Sequence, residues 1–455
     1  MPALLASLHT WTVDEPERSL SEELCRLFAG CEDYICVKIG EDGGREVSLC
    51  YLTTLASPDK LRFVVSEEAG TLESRLSQYE GSAIEEADYD SAEHAVCLGM
   101  AILCLQGSSR GLVLNLHEVQ QRSLGSPFTE NVLQGPLYAF NENLDLNTAI
   151  VRQRIRSSKL KSWTIEIGGV TRTKCAVLHL ADKADPDCLR RIQDALGALK
   201  VEGVQDTGEL LRLLDTKRWA RLFPKAILTE RPDRVSIDLL QGKLAILLDG
   251  TPFALLLPAV YTDFWHSPED RYVNPFVSVF LNALRFLAML CNLTLPALYI
   301  ALTSINVDVN RLEISLAAAA SREGVPYPVF VETMLMLIII DFITEAGTRL
   351  PNAISATVTM VGGVVLGQAI IQASIVSNLL VIIVAATAIT NFIVIDYQMG
   401  LVQRILKYFA CIGAAVAGLL GIVFCLACLV FYLSSLESFG TPYLTPLLQK
   451  KGGGA

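Results

Sequence analysis

Apolar and polar positions change their rhythm near residue 275. Before it, short runs alternate with period two and are broken by Gly, Pro and Asp. That rhythm predicts strands joined by tight turns. After it the apolar runs lengthen. The longest, Ala353–Ile395, holds 43 residues without one charged side chain. A bilayer-spanning helix needs roughly 20 apolar residues, so this run predicts two crossings, with a turn near Ser374, Ser377 and Asn378. Phe276–Ile305, Val329–Gly347 and Phe409–Leu433 read as further crossings, about five in all. Between the first two, NVDVNRLEISLAAAASREGVPYP is too polar to span and predicts a short interfacial or re-entrant helix.

The first part contains a repeat. DYICVKIGEDGGREVSLCYLTTLASPDKLRFVV and SWTIEIGGVTRTKCAVLHLADKADPDCLRRIQ both read as strand, turn, strand and a Pro-Asp helix start. Gly40 to Pro58 spans 18 positions, as does Gly168 to Pro186. GMAILCLQG and GKLAILLDG then repeat a glycine interval of eight. The expected fold is α+β followed by membrane α. Residues 1–30 form a tail, 31–125 a first α/β subdomain and 126–154 a helical linker. Residues 155–262 form a second α/β subdomain, 263–275 a linker, 276–436 a transmembrane bundle and 437–455 a C-terminal tail.

Charge sharpens this division. Residues 276–455 carry eight basic and eight acidic side chains, leaving 29 and 40 of the chain's 37 and 48 in the first part. The net charge of −11 therefore belongs to the first 275 residues. An acidic surface argues against nucleic acid and against docking on anionic lipid. The N-terminal stretch lacks a basic region and a long apolar core, so no secretory signal is read there, and the acidic part is expected in the cytoplasm. The twelve cysteines are scattered, and Cys425 and Cys428 form a CxxC inside an apolar run; they read as small hydrophobes rather than a metal site. There is no phosphate-loop or dinucleotide fingerprint, and Asp249-Gly250 reads as a hairpin turn. No enzyme, cofactor or metal is expected.

Charged residues inside the apolar runs are the candidates for function. Arg285 reads as a side chain snorkelling to the interface. Glu332, Asp341 and Glu345 lie on one predicted helix, and Glu345 with Arg349, four apart, reads as a structural ion pair. Thr357, Val361, Val364 and Gln368 follow a helical spacing with a mildly polar face. They read either as helix packing or as the lining of a narrow pore formed by several copies. Gly363 and Gly367 form a GxxxG that suits helix packing.

Several motifs resemble one family. TERPDRV (229–235), LLQGKLAILLDGTPFALLLP (239–258), SPEDRY (267–272), LPALYIAL (295–302), REGVPYP (322–328), EAGTRLP (345–351), VGGVVLGQAIIQASIVS (361–377) and ESFGTPYLTP (437–446) are similar to the A subunit of the GerA-type spore germinant receptors. The stage V sporulation AF protein is a near relative. The chain departs from the family pattern around Gly135-Pro136, where basic residues are usual. The resemblance implies a multi-pass protein of the spore inner membrane that forms a homo-oligomer. It implies a transporter-like B subunit and a lipoprotein C subunit as partners, and a germinant-gated ion channel as the activity. A non-conducting signalling scaffold and an ion-release protein of the stage V type are the alternatives.

Overall fold

The computed structural model describes residues 19–42, 45–65, 86–117, 125, 127, 130, 132, 135–215, 222–309, 312–351, 363–365 and 367–445. The chain divides into two units. One holds residues 1–218, 226–259 and 438–441; the other holds 219–225, 260–437 and 442–455.

The first unit is built twice from the same plan. Its first sheet contains β1 (Tyr34–Asp42), β2 (Arg45–Leu52), β3 (Glu86–Ala87), β4 (Ala101–Leu105) and β5 (Gly111–Leu114). The strands lie in the order β1-β2-β4-β5-β3. The second contains β6 (Leu160–Ile167), β7 (Thr173–Leu180), β8 (Ile227–Thr229), β9 (Leu244–Leu248) and β10 (Ala254–Leu257). Its order is β6-β7-β9-β10-β8, the same path, with every neighbour antiparallel.

The apolar strands β4 and β9 explain why the plan recurs. Each is buried at all five positions, because helices cover both faces of its sheet. Leu103 and Leu105 face a core completed by α2 (Pro58–Val65), while Ile102 and Cys104 face α1 (Leu20–Leu27) and α3 (Tyr89–Cys97). In the second sheet, α5 (Pro186–Gly197) and α6 (Thr207–Leu214) pack on Leu244, Ile246 and Leu248. Pro58 and Pro186 both begin a helix, where the missing N–H costs nothing. Gly99 and Gly242 adopt φ of 86° and 90° just after α3 and α7 (Pro232–Leu240). That left-handed helix exit favours glycine. The matched Gly40 and Gly168 are not equivalent in structure. Gly40 lies in β1 at a register shift, whereas Gly168 has φ 96° beyond β6.

The linker segment is not a bare connector. It contains α4 (Leu144–Arg154), whose residues Asn147 to Arg152 are buried. Asn143 caps it through Leu146 N–H, and Asp249 accepts from Leu144 N–H at 3.1 Å. The turn-forming Asp249 thus also holds a helix end. Arg152 projects from α4 and donates to both carboxylate oxygens of Asp33, while Ser162 Oγ donates to the same carboxylate at 2.7 Å. One buried guanidinium therefore ties the residue before β1 to β6.

The second unit is helical: α8 (Pro275–Ile300, extended by a π turn to Ile305), α9 (Leu312–Ser321), α10 (Val329–Arg349), α11 (Asn378–Asn391) and α12 (Tyr397–Ser435). Among the described residues, two stretches, Pro275–Ile305 and Tyr397–Ser435, are long and apolar enough to cross a membrane. They fit a helical membrane unit without showing all of the expected five spans. Helix α10 is long enough but carries three acids and an arginine, and α11 has 14 residues. Thr357 and Val361, with the rest of 352–362, lie outside the described residues.

The predicted single crossing Phe409–Leu433 is corrected. Gly418 sits at φ 61°, ψ −137° inside α12, a region that L side chains avoid. Eight residues in a straight helix span about 12 Å. Yet a Cβ built on Gly421 would lie 1.9 Å from Gly413 O. Cys425 Sγ lies 3.7 Å from Phe409 O, sixteen residues away. α12 is therefore two helices, 397–417 and 419–435, folded back to back. Glycine at 413 and 421 lets the backbones touch, and Asn306 Oδ1 accepts from Leu419 N–H to cap the second helix.

Candidate functional site

Many large apolar side chains of the helical unit face outward, and its apolar core encloses a few polar ones. Asn292 on α8 is fully buried. Its Nδ2 donates to Asn391 Oδ1 at 3.1 Å and to Gln403 Oε1 at 2.9 Å, while its own Oδ1 has no partner. These three carboxamides join α8, α11 and α12.

Beside them, Lys407 Nζ donates to Asp341 Oδ1 at 3.1 Å and Tyr408 OH donates to Asp341 Oδ2 at 2.5 Å. Lys407 is 3% exposed. A cavity of about 10 Å³ lies among Asp341, Thr344, Thr387, Asn391 and Lys407, room for about one water.

A third cluster closes the start of α11. Glu332, fully buried, accepts from Ser377 N–H at 2.6 Å and from Arg322 Nε at 3.3 Å. Leu379 N–H donates to Ser321 Oγ and Leu380 N–H to Ser377 Oγ. Three N–H groups at this helix N-terminus thus have side-chain acceptors, with a carboxylate where the helix dipole favours one. Tyr299 OH lies 3.0 Å from Ser377 Oγ.

Arg285, expected to reach for the interface, has partners in its own chain. Its guanidinium grips Asp270 through both nitrogens and donates to Trp265 O at 3.2 Å. Arg349 Nη2 lies 2.7 Å from Glu345 Oε1, with both side chains exposed. Val364 and Gln368 are exposed. A Cβ built on Gly363 or Gly367 would meet nothing within 4 Å. Among the described residues, the predicted GxxxG therefore packs against no helix of its own chain.

In the α/β unit, Arg231 Nη2 lies 2.8 Å from Asp233 Oδ2. Burial raises the Asp233 carboxyl, but the Arg231 guanidinium outweighs it and holds the group below its ordinary value. Near Gly135-Pro136, Glu130 faces Arg234 at 3.7 Å, and burial raises its carboxyl despite that charge. Among the described residues, no group of His, Cys, Asp and Glu is placed to hold a metal.

Such buried polar clusters fix how helices pack, and they offer charges whose pairing can change. A model of the Bacillus/Clostridium GerA spore germination protein family matches residues 22–453. The chain belongs to this family. Spore germination protein B1 of Bacillus subtilis (strain 168) is 36% identical over 360 residues, 79% of this chain and 74% of that protein. Spore germination protein A1 of the same organism is 34% identical over 386 residues, 84% of this chain and 80% of that one. An uncharacterized membrane protein, YfkQ, also of B. subtilis, is 32% identical over 436 residues, 93% of this chain and 84% of that one. The crystal structure of the N-terminal domain of the A subunit of the Bacillus megaterium spore germinant receptor GerK3 aligns with 55% of this chain and 99% of its own. Its identity is 21% and its TM-score 0.41, a likeness that carries no argument.

The GerA family ties this chain to spore germination. Sequence reading singled out Glu332 and Asp341 but missed Lys407 and Tyr408 as partners of Asp341, and missed the buried amides Asn292, Asn306 and Gln403 altogether. The available signal was a carboxamide within an apolar run, since a buried amide without a partner costs several kcal/mol in hydrocarbon.

Proposed function

We propose that this GerA chain is the A-type subunit of a spore nutrient-germinant receptor. It lies in the spore inner membrane, with the α/β head (31–125, 126–154 and 155–262) in the cytoplasm and 276–436 in the bilayer. It assembles with copies of itself, with a transporter-like B subunit and with a lipoprotein C subunit. The copies bring Thr357, Val361, Val364 and Gln368 around a narrow path that opens to ions when germinant is sensed.

The observation that carries this reading is the surface of the helical unit. Many of its most exposed positions are large and apolar, Glu332 and Asp341 are paired inside it, and among the described residues nothing lies within 4 Å of a Cβ built on Gly363 or Gly367. The cavity beside Asp341 has room for about one water, too little for an ion path at that place. That same cavity favours the second reading, a non-conducting subunit that relays a partner's state through the Asp341–Lys407 pair. Cation flux from liposomes containing the purified chain alone separates the two. Conduction predicts flux that changes in Val364→Ala and Gln368→Leu. Equal, background flux in the parent and both variants removes the channel reading and leaves the relay.

A further inference from the structure

Cysteines far apart in the sequence meet on one face of the first sheet. Cys36 on β1 and Cys50 on β2 are direct cross-strand partners. Residues directly opposite on antiparallel strands have Cα atoms about 4.5 or 5.5 Å apart, and a disulfide takes Cα separations of about 4.4–6.8 Å. The side chains face each other as well: Cys50 Sγ lies 2.9 Å from Cys36 Sγ, with no bond between them. Cys104, on the next strand, hydrogen-bonds with Cys50, and the exposed Cys25 of α1 lies against Cys36. Cys36 is partly exposed, while Cys50 is fully buried. Cys36 is thus the less enclosed of the two partners.

We propose that Cys36 and Cys50 form a reversible disulfide site, opened by exchange with a small-molecule disulfide. The Cys36 thiolate attacks one sulfur of the small disulfide. A mixed disulfide forms there and one small thiol leaves. The Cys50 thiolate then attacks the Cys36 sulfur, the second small thiol leaves, and the cross-strand bond is made. Two protein thiols and one small disulfide give one protein disulfide and two small thiols. The two electrons lost by Cys36 and Cys50 pass to the small disulfide, and their two protons end on the released thiols. The product staples β1, an edge strand of the first sheet, to its neighbour β2. The Cys36 thiol is held above its ordinary value by its hydrogen bond with Cys50 and by burial. Exchange is therefore slow.

The test uses the full-length protein in detergent, incubated for hours with oxidised glutathione, then blocked with N-ethylmaleimide and digested without reductant. Mass spectrometry should find a Cys36–Cys50 linked peptide as the dominant cross-link, and dithiothreitol should remove it. Cys50→Ala should stop at the glutathione adduct on Cys36, while Cys25→Ser should still give the linked peptide. Because the parent protein alone reports the linked peptide, the result stands even if a variant misfolds. Persistent glutathione on Cys36 in the parent overturns the proposal. So do cross-links that involve Cys97, Cys175 or Cys188 instead, or no cross-link at all.

Discussion

The two units of this GerA chain both bury an apolar core but expose opposite chemistry. In the α/β unit, β4 and β9 are apolar on both faces, and charge is admitted to the interior mainly where it is paired, as at Arg152–Asp33. In the helical unit Phe276, Val416 and Leu420 are 85%, 80% and 78% exposed, while Asn292 and Glu332 are fully buried. Water accounts for the first pattern, since large apolar patches rarely face it. The second needs an apolar surround, a bilayer or the apolar faces of other copies. The difference also assigns roles to buried polar groups. In the head one pair joins two repeats. In the bundle, successive clusters specify how each helix meets the next, because greasy contacts alone discriminate little in lipid.

The largest test falls on the head. Arg152→Ala leaves the Asp33 carboxylate buried and unpaired, which costs about 3–5 kcal/mol. Urea unfolding followed by Trp163 fluorescence should show that loss. Adding Asp33→Ala should recover much of it, because removing both partners is far cheaper than removing one. If the single variant loses less than about 1 kcal/mol, the guanidinium is not what joins the repeats.

The matching change in the bundle is Lys407→Met. It strands Asp341, which keeps only Tyr408 as a close donor. About 3 kcal/mol is expected, read as a lower thermal midpoint in detergent, with Asp341→Leu restoring most of it. A neutral outcome would mean that the interior is wet at this level, and the contrast between the units would weaken.

Gly418→Ala is expected to cost about 2 kcal/mol in backbone strain. Its Cβ would also lie 2.0 Å from Asn306 Oδ1. A disulfide between Cys425 and a cysteine introduced as Phe409→Cys reports the fold-back directly. A straight helix would hold those positions about 24 Å apart. Efficient cross-linking in the Phe409→Cys protein, lost on adding Gly418→Ala, is the expected pair of results.

A smaller effect follows pH. His179 on β7 is opposite Lys161. Burial first, and then that cation, lower its pKa from 6.5. The unfolded chain therefore takes up the proton at a higher pH than the folded one. Head stability should fall as pH drops below about 6.5 and level off below the folded value, at no more than about 1.4 kcal/mol per unit. His179→Gln should flatten the curve between pH 7 and 5, and an unchanged slope would assign the titration to other groups.

The repeat was legible because it is written in local signals. Pro58 and Pro186 start helices, and Gly99 and Gly242 end them, so each acts within a few residues of itself. The bundle's contacts were not legible, because Asn292 finds Gln403 across 111 residues and Lys407 finds Asp341 across 66. Nothing near either residue in the chain names its partner. Gly418 hid for another reason: it lies in an uninterrupted apolar run, where hydropathy reports lipid compatibility but says nothing of direction. Cys36 and Cys50 looked scattered until strand register set them opposite each other.

The smallest effect comes from the one ionic contact that spacing alone supplied. Glu345 and Arg349 are one helical turn apart, 2.7 Å between charged atoms, and the arginine side chain is 78% exposed. Where such a pair meets water it is worth about 0.3–0.5 kcal/mol, and salt screens it. Glu345→Gln should therefore change the thermal midpoint little, and less at high ionic strength, in contrast to Lys407→Met a few turns away. A loss for Glu345→Gln as large as for Lys407→Met, unaffected by salt, would show that this end of α10 is enclosed by other copies. The boundary between the wet and the apolar surround would then move past Arg349.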